Sequence, residues 1–284
     1  MDKVVGIGDV GAKVAEEFTE HPEYRIYKIA PGLEGRADLA IDRCADMESY
    51  ENNLDKSEVA SYLRSIHPDD EVLVILEGGD PTNGIILSVL EEIAQATISV
   101  VYICPDTSLI GDTQKRDHRI TFGVLQEYAR SGVFQMMYLV DRSRVEEMLG
   151  DVSIAMYEQS VHNFISYAVV MINYFNHADP VVSTGSDISP LSRIATFGVG
   201  SLEEDSATKY LYELDDKQEE HFYYGIPSAQ IAEDPTLMRQ IKEQVKSFSG
   251  DTFSTSFAVF PTTFDDRMVI SCAYTKHVQP SSPV

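Results

Sequence analysis

The stretch that most constrains the fold of this chain is residues 71–95, EVLVILEGGDPTNGIILSVLEEIAQ. Its apolar run, residues 72–76, breaks into a turn with three glycines, and a segment with helical periodicity follows at once. A strand, a glycine-rich turn and a helix N-terminus in this order can hold an anion, because free backbone N–H groups and the helix dipole point to the same place. Glycine suits such a turn because it tolerates positive φ angles and a close approach of the backbone. The sequence therefore predicts an anion-binding turn after this strand.

Composition and charge restrict the partners that we expect for the chain. Its 284 residues, 43% of them hydrophobic, suffice for one large core or two ordinary domains. The 46 acidic and 22 basic residues give a net charge of −24, which repels nucleic acid and anionic membranes; the alternative explanation of this charge is solubility in a salty or crowded habitat. No apolar run approaches the roughly 18 residues of a membrane span, no signal peptide is present, and the three cysteines form no C-x-x-C pair. We expect a cytoplasmic protein that binds neither nucleic acid nor membrane.

The first half of the chain alternates between strand and helix patterns. Predicted strands are residues 3–7, 24–29, 72–76, 98–103 and 134–140, and predicted helices are residues 12–19, 55–66, 119–130 and 142–148. Residues 30–53 indicate a loop with one short element. The alternation predicts an α/β domain with a Rossmann-like parallel sheet and right-handed crossovers. Ligands bind such sheets at the carboxyl ends of the strands, where two glycine-rich segments lie: residues 6–11, called here the first turn, and residues 77–84, the second turn.

The second half of the chain begins with a long helical pattern and then changes character. Residues 154–176 carry few charges, so this helix must be buried on most sides. A segment rich in Pro, Ser and Gly, residues 179–192, follows it. Strands are then predicted at residues 194–199, 222–226, 255–260 and 267–274, a helix at residues 234–248, and partly helical structure in the acidic residues 201–220. We therefore predict a nucleotide-binding domain at 1–150, a central helix at 151–178 and a smaller C-terminal α+β domain at 179–284.

This order of elements resembles the tubulin/FtsZ superfamily over nearly the whole chain. Residues 6–14, GIGDVGAKV, are similar to the first phosphate loop of that family, GxGGGGNAV in FtsZ. Residues 78–84, GGDPTNG, stand where the family has GGGTG[ST]G, and residues 119–122, RITF, match R-x-x-F in FtsZ, whose arginine contacts the nucleotide. Tyr157 has the spacing of the aromatic residue that lies under the guanine. The chain ends soon after strand 267–274, so we expect a compact tubulin-like protein of a phage or an unusual prokaryotic lineage rather than a cell-division FtsZ.

The resemblance implies a function and a set of site residues. Subunits of the family stack head to tail into filaments, with GTP or GDP and Mg²⁺ bound between them. Asp187, in the loop of residues 183–190, would position water in the site of the neighbouring subunit. Arg119 and Tyr157 would contact the nucleoside. The residues that would hold the phosphates are Gly8, Gly11, Gly78, Gly79 and Gly84. The other residues of the predicted cofactor-binding set are Asp9, Asp80, Thr82 and Asn83. The seven histidines show no clustered ligand spacing, so no structural metal is predicted.

Several positions differ from the family pattern, and they leave two interpretations of the site. Asp9 and Asp80 stand where the family has glycine, and Pro81 removes a backbone donor. Val161 replaces the asparagine that reads guanine, and Pro190 replaces the downstream catalytic acid. Two like charges about 4 Å apart repel by about 1 kcal/mol in water and about 4 kcal/mol at an effective dielectric of about 20, although Mg²⁺ would reverse this sign. The site is either a metal-dependent GTP site of unusual composition or a pocket that has lost its nucleotide, so the chain is a GTPase at most.

Other functional classes also stay open. A non-catalytic structural or adaptor protein with the same fold would need no nucleotide. The first turn also spells G-x-G-x-x-G, the fingerprint of NAD(P)-binding oxidoreductases, although Ala30 and Pro31 stand where that fold needs an acidic residue. Asp9 and Asp80 would serve equally as acidic residues that complement helix dipoles. Tyr157 is alternatively a core aromatic residue, and Arg119 a surface residue of its helix.

Overall fold

The computed structural model describes residues 1–185, 188–202, 208–250, 252–263 and 265–281, which form two compact units. The first unit comprises Met1–Ser166 and the tail from residue 278, and the second comprises Tyr167–His277. The strands of the first unit are β1 (Lys3–Ile7), β2 (Arg25–Pro31), β3 (Leu39–Ile41), β4 (Glu71–Glu77), β5 (Thr97–Cys104) and β6 (Met136–Asp141). Its helices are α1 (Gly8–Glu17), α2 (Met47–Asn53), α3 (Lys56–Leu63), α4 (Ile86–Glu92), α5 (Asp112–Ser131) and α6 (Arg142–Leu149), with 3-10 turns at Phe18–Glu20 and Pro81–Ile85. Helix α7 (Tyr157–His177) begins in the first unit and ends in the second.

The sheet of the first unit is parallel throughout, in the order β3-β2-β1-β4-β5-β6. Its central strands are nearly continuous apolar runs, and β5 is buried from Ile98 to Cys104. Such runs form strands covered on both faces, which explains why this sheet has helical crossovers rather than hairpins. The order reverses between β1 and β4, which are neighbours in the sheet although α1, β2, β3 and two further helices separate them in the chain. The predicted Rossmann-like sheet is confirmed.

Two helices of the first unit begin earlier than predicted. Helix α1 starts at Gly8 rather than residue 12, so most of the first turn is the opening of the helix and not a loop. Helix α5 starts at Asp112 rather than residue 119, because Gly111 and Gln114 form a capping arrangement in which Gln114 Oε1 accepts the Gly111 N–H at 3.2 Å. Charged residues fill the first two turns of α5, so its apolar periodicity starts late and hides the true helix start.

In its described residues, the second unit combines a mixed sheet with the end of α7 and two further helices. Its strands are β7 (Val182–Ser183), β8 (Ile194–Gly200), β9 (Lys209–Tyr210), β10 (Glu219–Pro227), β11 (Ser254–Thr262) and β12 (Met268–Thr275), and its helices are α8 (Ser228–Glu233) and α9 (Leu237–Phe248). The strands of this sheet lie in the order β8-β12-β10-β11-β7, and β9 pairs with β8. The pair β10 and β11 is parallel, and the other pairs are antiparallel. Leu237, Ile241 and Val245 recur at helical spacing on α9, and they pack on a core that includes Phe222 and Tyr224.

Two predictions for the second half of the chain are corrected by these elements. The described part of residues 201–220 contains β9 and the start of β10 rather than helix, because Lys209 and Tyr210 pair with β8. Residues 234–236 precede α9 instead of opening it, since Pro235 follows the end of α8 and the Asp234 carboxylate caps the next turn at Thr236 N, 2.9 Å. Among the described residues, no helix is both long and apolar enough to cross a membrane.

The tail after β12 belongs to the first unit, whereas the sequence assigns it to a C-terminal domain at 179–284. The buried side chain of Gln126 on α5 bonds the Gln279 backbone twice, accepting its N–H at 2.7 Å and donating to its carbonyl at 3.1 Å. His118 Nε2 lies 3.1 Å from the carbonyl of Ser281. These backbone bonds attach the tail to α5, and the boundary between the units at 166/167 falls inside the predicted central helix.

Candidate functional site

The two glycine turns lie together at the carboxyl edge of the parallel sheet. The first turn follows β1 and the second follows β4, and these strands pair in register from Lys3 with Val72 to Gly6 with Ile75. Because the strand order reverses at this pair, the chain leaves β1 and β4 in opposite directions and opens a crevice at their ends. This is the position at which open α/β sheets bind their ligands.

The side chain of Asp80 joins the two turns. Its Oδ1 accepts the Thr82 N–H at 2.8 Å and so caps the 3-10 turn Pro81–Ile85. Its Oδ2 accepts the Asp9 N–H at 3.3 Å, a free donor in the first turn of α1. No side chain caps α1 from its own N-cap residue, Ile7. The anion at the N-terminus of α1 is therefore a carboxylate of the chain itself.

Two glycines give the turns their backbone shape. Gly8 has φ +75° and Gly79 has φ +80°, a region that residues with a Cβ rarely adopt. A Cβ on Gly8 would come closer than 3.0 Å to the Asp80 carboxylate, and a Cβ on Gly79 would lie 2.9 Å from the carbonyl oxygen of Gln114. Gly8 thus allows Asp80 to reach the first turn.

Packing explains the other three glycines that the resemblance assigns to phosphate binding. A Cβ on any of them would lie closer than 3.0 Å to atoms already in place. Gly11 touches a carbonyl of β4, Gly84 touches the first carbonyl of α2, and Gly78 touches the side chains of Tyr102 and His118. These contacts give Gly11, Gly78 and Gly84 a structural reason to be glycine that needs no ligand.

The other predicted site residues are held in different ways. Thr82 and Asn83 are buried, and Asn83 Nδ2 donates to the Glu77 carbonyl at 2.7 Å, which ties the second turn to the end of β4. Arg119 is exposed on α5, where its Nε donates to the Lys115 carbonyl at 3.3 Å. The predicted catalytic Asp187 lies outside the residues that the structure describes.

A charged cluster that the sequence did not indicate lies at the ends of β4 and β6. The Arg142 guanidinium bonds Glu77 at 3.2 Å, Glu146 at 3.1 Å and Glu158 at 2.6 Å. Burial raises the pKa of Glu77, while the Arg142 charge opposes that rise. Burial also disfavours the charge on Arg142, but the carboxylates of Glu158 and Glu77 outweigh it and raise its pKa. The only sequence signal for this cluster is that Glu77 and Arg142 each stand at the end of a predicted strand.

Tyr157, the predicted base-stacking residue, joins this cluster. It begins α7 and is half-buried, and its hydroxyl hydrogen-bonds the Glu146 side chain, which raises the pKa of Tyr157. One turn further along α7, His162 is buried with its Nε2 3.5 Å from a carboxylate oxygen of Glu158. Burial lowers the pKa of His162 to about 4, so this imidazole is neutral at pH 7.

The residues at the two turns do not fit a triphosphate in this arrangement. Asp80 already accepts the N–H groups of Asp9 and Thr82, Pro81 has no N–H, and the Asp9 carboxylate adds a second negative charge. Arg43 is 3.9 Å from Asp9, but both side chains are largely exposed. Within the described part of the chain, no group of three or more His, Cys, Asp or Glu side chains could hold a metal ion.

Comparison with known proteins finds similarity in structure alone. No family profile and no curated protein sequence matches this chain. The GTPγS-bound protofilament of CetZ2 from Haloferax volcanii superposes with a TM-score of 0.71 at 13% identity, over 96% of this chain and 92% of that one. The GTPγS-form protofilament of TubZ from Bacillus thuringiensis serovar israelensis gives 0.69 at 12% identity, over 99% and 88%. An empty FtsZ dimer from M. jannaschii gives 0.67 at 13%, over 96% and 87%. The chain has the tubulin/FtsZ fold, which confirms the predicted fold class and resemblance.

Proposed function

We propose that this chain is a cytoplasmic structural protein that self-associates head to tail into filaments without needing a nucleotide. The observation that carries the nucleotide independence is the Asp80 carboxylate, which accepts N–H donors from both glycine turns. The support for self-association is the fold, since similar structures of CetZ2 and TubZ are protofilaments. Head-to-tail contacts join two different surfaces and do not close, so they produce open filaments.

The electrostatics of the two turns favour this proposal over GTP binding. A phosphate that entered would have to displace Asp80 from Asp9 N and Thr82 N, so its bonds to these groups would replace existing bonds rather than add to them. The displaced carboxylate would then stay close to the phosphate, with a repulsion of about 1 to 4 kcal/mol at about 4 Å. Without a bound nucleotide the chain is not a GTPase, and Asp187 would have no water to position.

A second candidate function is a filament protein that binds GTP with Mg²⁺. The observation that favours it is the backbone, because Gly8 and Gly79 keep left-handed φ angles at the point where the strand order reverses. In that state Asp80 would leave Asp9 N and, with the Asp9 carboxylate, would face Mg²⁺ and phosphate oxygens, a ligand set that a hard cation prefers. Arg119 and Tyr157 would then serve the nucleoside.

Sedimentation and thermal unfolding in parallel would test the proposal. We expect concentration-dependent pelleting of the protein that is the same without nucleotide and with GTP or GDP plus Mg²⁺, and no change in Tm with any of them. Absence of pelleting in every condition would refute the filament. A Tm rise of several degrees with GTP and Mg²⁺ would establish the second candidate, since a ligand at 100 times its Kd stabilises by about 2.7 kcal/mol. A rise with NAD(P)H alone would favour the oxidoreductase instead.

A further inference from the structure

A groove on the first unit borders the second turn, with which it shares Asn83 and Gly84. It runs between α2, the start of α4 and α5, and it has a volume of about 550 Å³. Ile86 and Leu125 are buried at its base, while Leu87, Ile120 and Val124 line it with 43%, 51% and 37% of their surface exposed. Isolated exposed apolar side chains are ordinary on protein surfaces, but three that share one groove mark a binding surface.

The polar residues of the groove are mainly acidic. Four carboxylates and one guanidinium line it. Asp46, Glu48 and Glu51 are exposed along α2, and the fourth carboxylate, Asp117, is buried. Arg116, the single cation, is bound to Asp117 Oδ1 through Nη2 at 3.0 Å and Nε at 3.1 Å, which leaves the α2 side negative. An apolar groove with one acidic wall complements an apolar surface with positive charge along one side.

The groove also has a buried polar side chain in its lining. Asn83 lines the groove, and its Oδ1 is buried without a hydrogen-bond donor among the residues that the structure describes. Its Nδ2 is already used, because it donates to the Glu77 carbonyl.

We propose that this groove binds a basic amphipathic helix of a partner protein, with apolar side chains at i, i+3, i+4 and i+7 in the groove and Lys or Arg facing α2. A second copy of this chain is the alternative occupant, and sedimentation of the groove variant distinguishes it from a partner helix. The proposal does not rest on the proposed function, since only two of the groove residues, Asn83 and Gly84, belong to the turns.

Binding of designed peptides to the whole chain would test this proposal. The probe is a fluorescein-labelled helical peptide of Leu and Lys with leucines at the four anchor positions; the controls are the same composition scrambled and a Leu/Glu peptide with the same pattern. We expect the helical Leu/Lys peptide to bind at least about tenfold more tightly than either control in fluorescence polarisation. Hydrogen exchange should show added protection in α2 and α5. Equal binding of the scrambled peptide, or protection elsewhere, would overturn the proposal.

Matched variants separate the groove from general attraction to an acidic protein. Ile120→Ser should weaken binding about tenfold, whereas Leu109→Ser, with 81% exposure outside the groove, should leave it unchanged. The pair Glu48→Gln and Glu51→Gln should weaken binding several-fold, most strongly at low salt. Circular dichroism and unchanged Tm values would show that these surface variants fold.

The control for charge is the pair Glu20→Gln and Glu91→Gln, which removes two carboxylates from outside the groove. Equal losses in both pairs would overturn the proposal in favour of nonspecific charge attraction. Sedimentation provides the last outcome: if the chain self-associates and Ile120→Ser abolishes that association, the occupant is a second copy and the partner-helix proposal is wrong.

Discussion

Replacing Asp80 tests whether its carboxylate is the internal anion of the two turns. Asp80→Ala removes both acceptors, the one for Thr82 N at 2.8 Å and the longer one for Asp9 N at 3.3 Å. Loss of a capping carboxylate costs about 0.5 to 2 kcal/mol, and loss of a negative charge at a helix N-terminus about 0.3 to 1 kcal/mol. Asp80 is half-buried, so neither effect is at its maximum. We therefore expect Asp80→Ala to lower the free energy of unfolding by about 2 kcal/mol.

Asp80→Asn separates the shape of the side chain from its charge. The amide oxygen can still accept the Thr82 N–H, so we expect a loss of only about 1 kcal/mol. Without the carboxylate, however, the N–H groups of α1 no longer face a negative charge. The variant should therefore gain stability with millimolar pyrophosphate, by about 2.7 kcal/mol when the ligand is at 100 times its Kd, whereas the original chain should not.

Urea denaturation with and without pyrophosphate measures both effects in one experiment. Asp9→Asn is the matched control, because it removes the neighbouring carboxylate but keeps the Asp9 backbone N–H on Asp80. We expect it to change stability by less than about 0.5 kcal/mol, as an exposed surface substitution does, and to create no response to pyrophosphate. The reasoning is refuted if Asp80→Ala is as stable as the original chain, or if the original chain and Asp80→Asn respond equally to pyrophosphate.

Three further predictions follow from the same unit and are measurable by urea denaturation. Gly84→Ala places a Cβ closer than 3.0 Å to the α2 backbone and should lower the free energy of unfolding by at least about 2 kcal/mol. Gly123→Ala is the control, because the space around Gly123 is open, and it should change stability by less than about 1 kcal/mol. Equal effects of the two substitutions would contradict the packing explanation. Arg142→Met should lower the free energy of unfolding by about 2 to 3 kcal/mol at pH 7, and this loss should shrink as pH falls and Glu77 becomes protonated. A loss of stability that does not depend on pH would show that the Arg142–Glu77 ion pair is not its cause. Burial lowers the pKa of His162 to about 4, against about 6.5 in the unfolded chain, so the free energy of unfolding is greatest above pH 6.5 and decreases towards pH 4. In His162→Gln this decrease between pH 7 and pH 4 should be smaller by about 3 kcal/mol. An unchanged pH profile would show that His162 does not cause the decrease.

The sequence predicted the parts of the fold that depend on local pattern. The apolar runs of β4 and β5 are short and rich in β-branched residues, which predicts strands of a sheet covered on both faces rather than buried helices. The sequence pattern places the start of α1 too late because glycines favour a loop, although Gly8 only opens the helix and Gly11 packs inside it. Residues 30–53 contain two short elements, β3 and α2, where the sequence indicates a loop with one, because Asp46 caps α2 in a polar segment without apolar periodicity.

The candidate site was only partly predictable, because its partners are distant in the chain. The sequence identifies Asp80 as a departure from the family pattern, but it does not reveal that the donor is residue 9, which is 71 residues away. The cluster around Arg142 is hard to predict for the same reason, since Glu77 and Glu158 reach Arg142 from two other elements. Such contacts depend on the spatial arrangement of strand ends and helix starts, which local periodicity does not determine.

The attachment of the tail to α5 has a consequence for how this protein is made. Gln279 is synthesised 153 residues after its partner Gln126. At about 5 to 20 residues per second, this gap lasts roughly 8 to 30 seconds on the ribosome. During that time the side-chain amide of Gln126 can hydrogen-bond only to water. The face of α5 that the tail later covers stays accessible to other chains and to chaperones. The first unit to emerge is therefore the last to be completed, after the whole second unit has been synthesised.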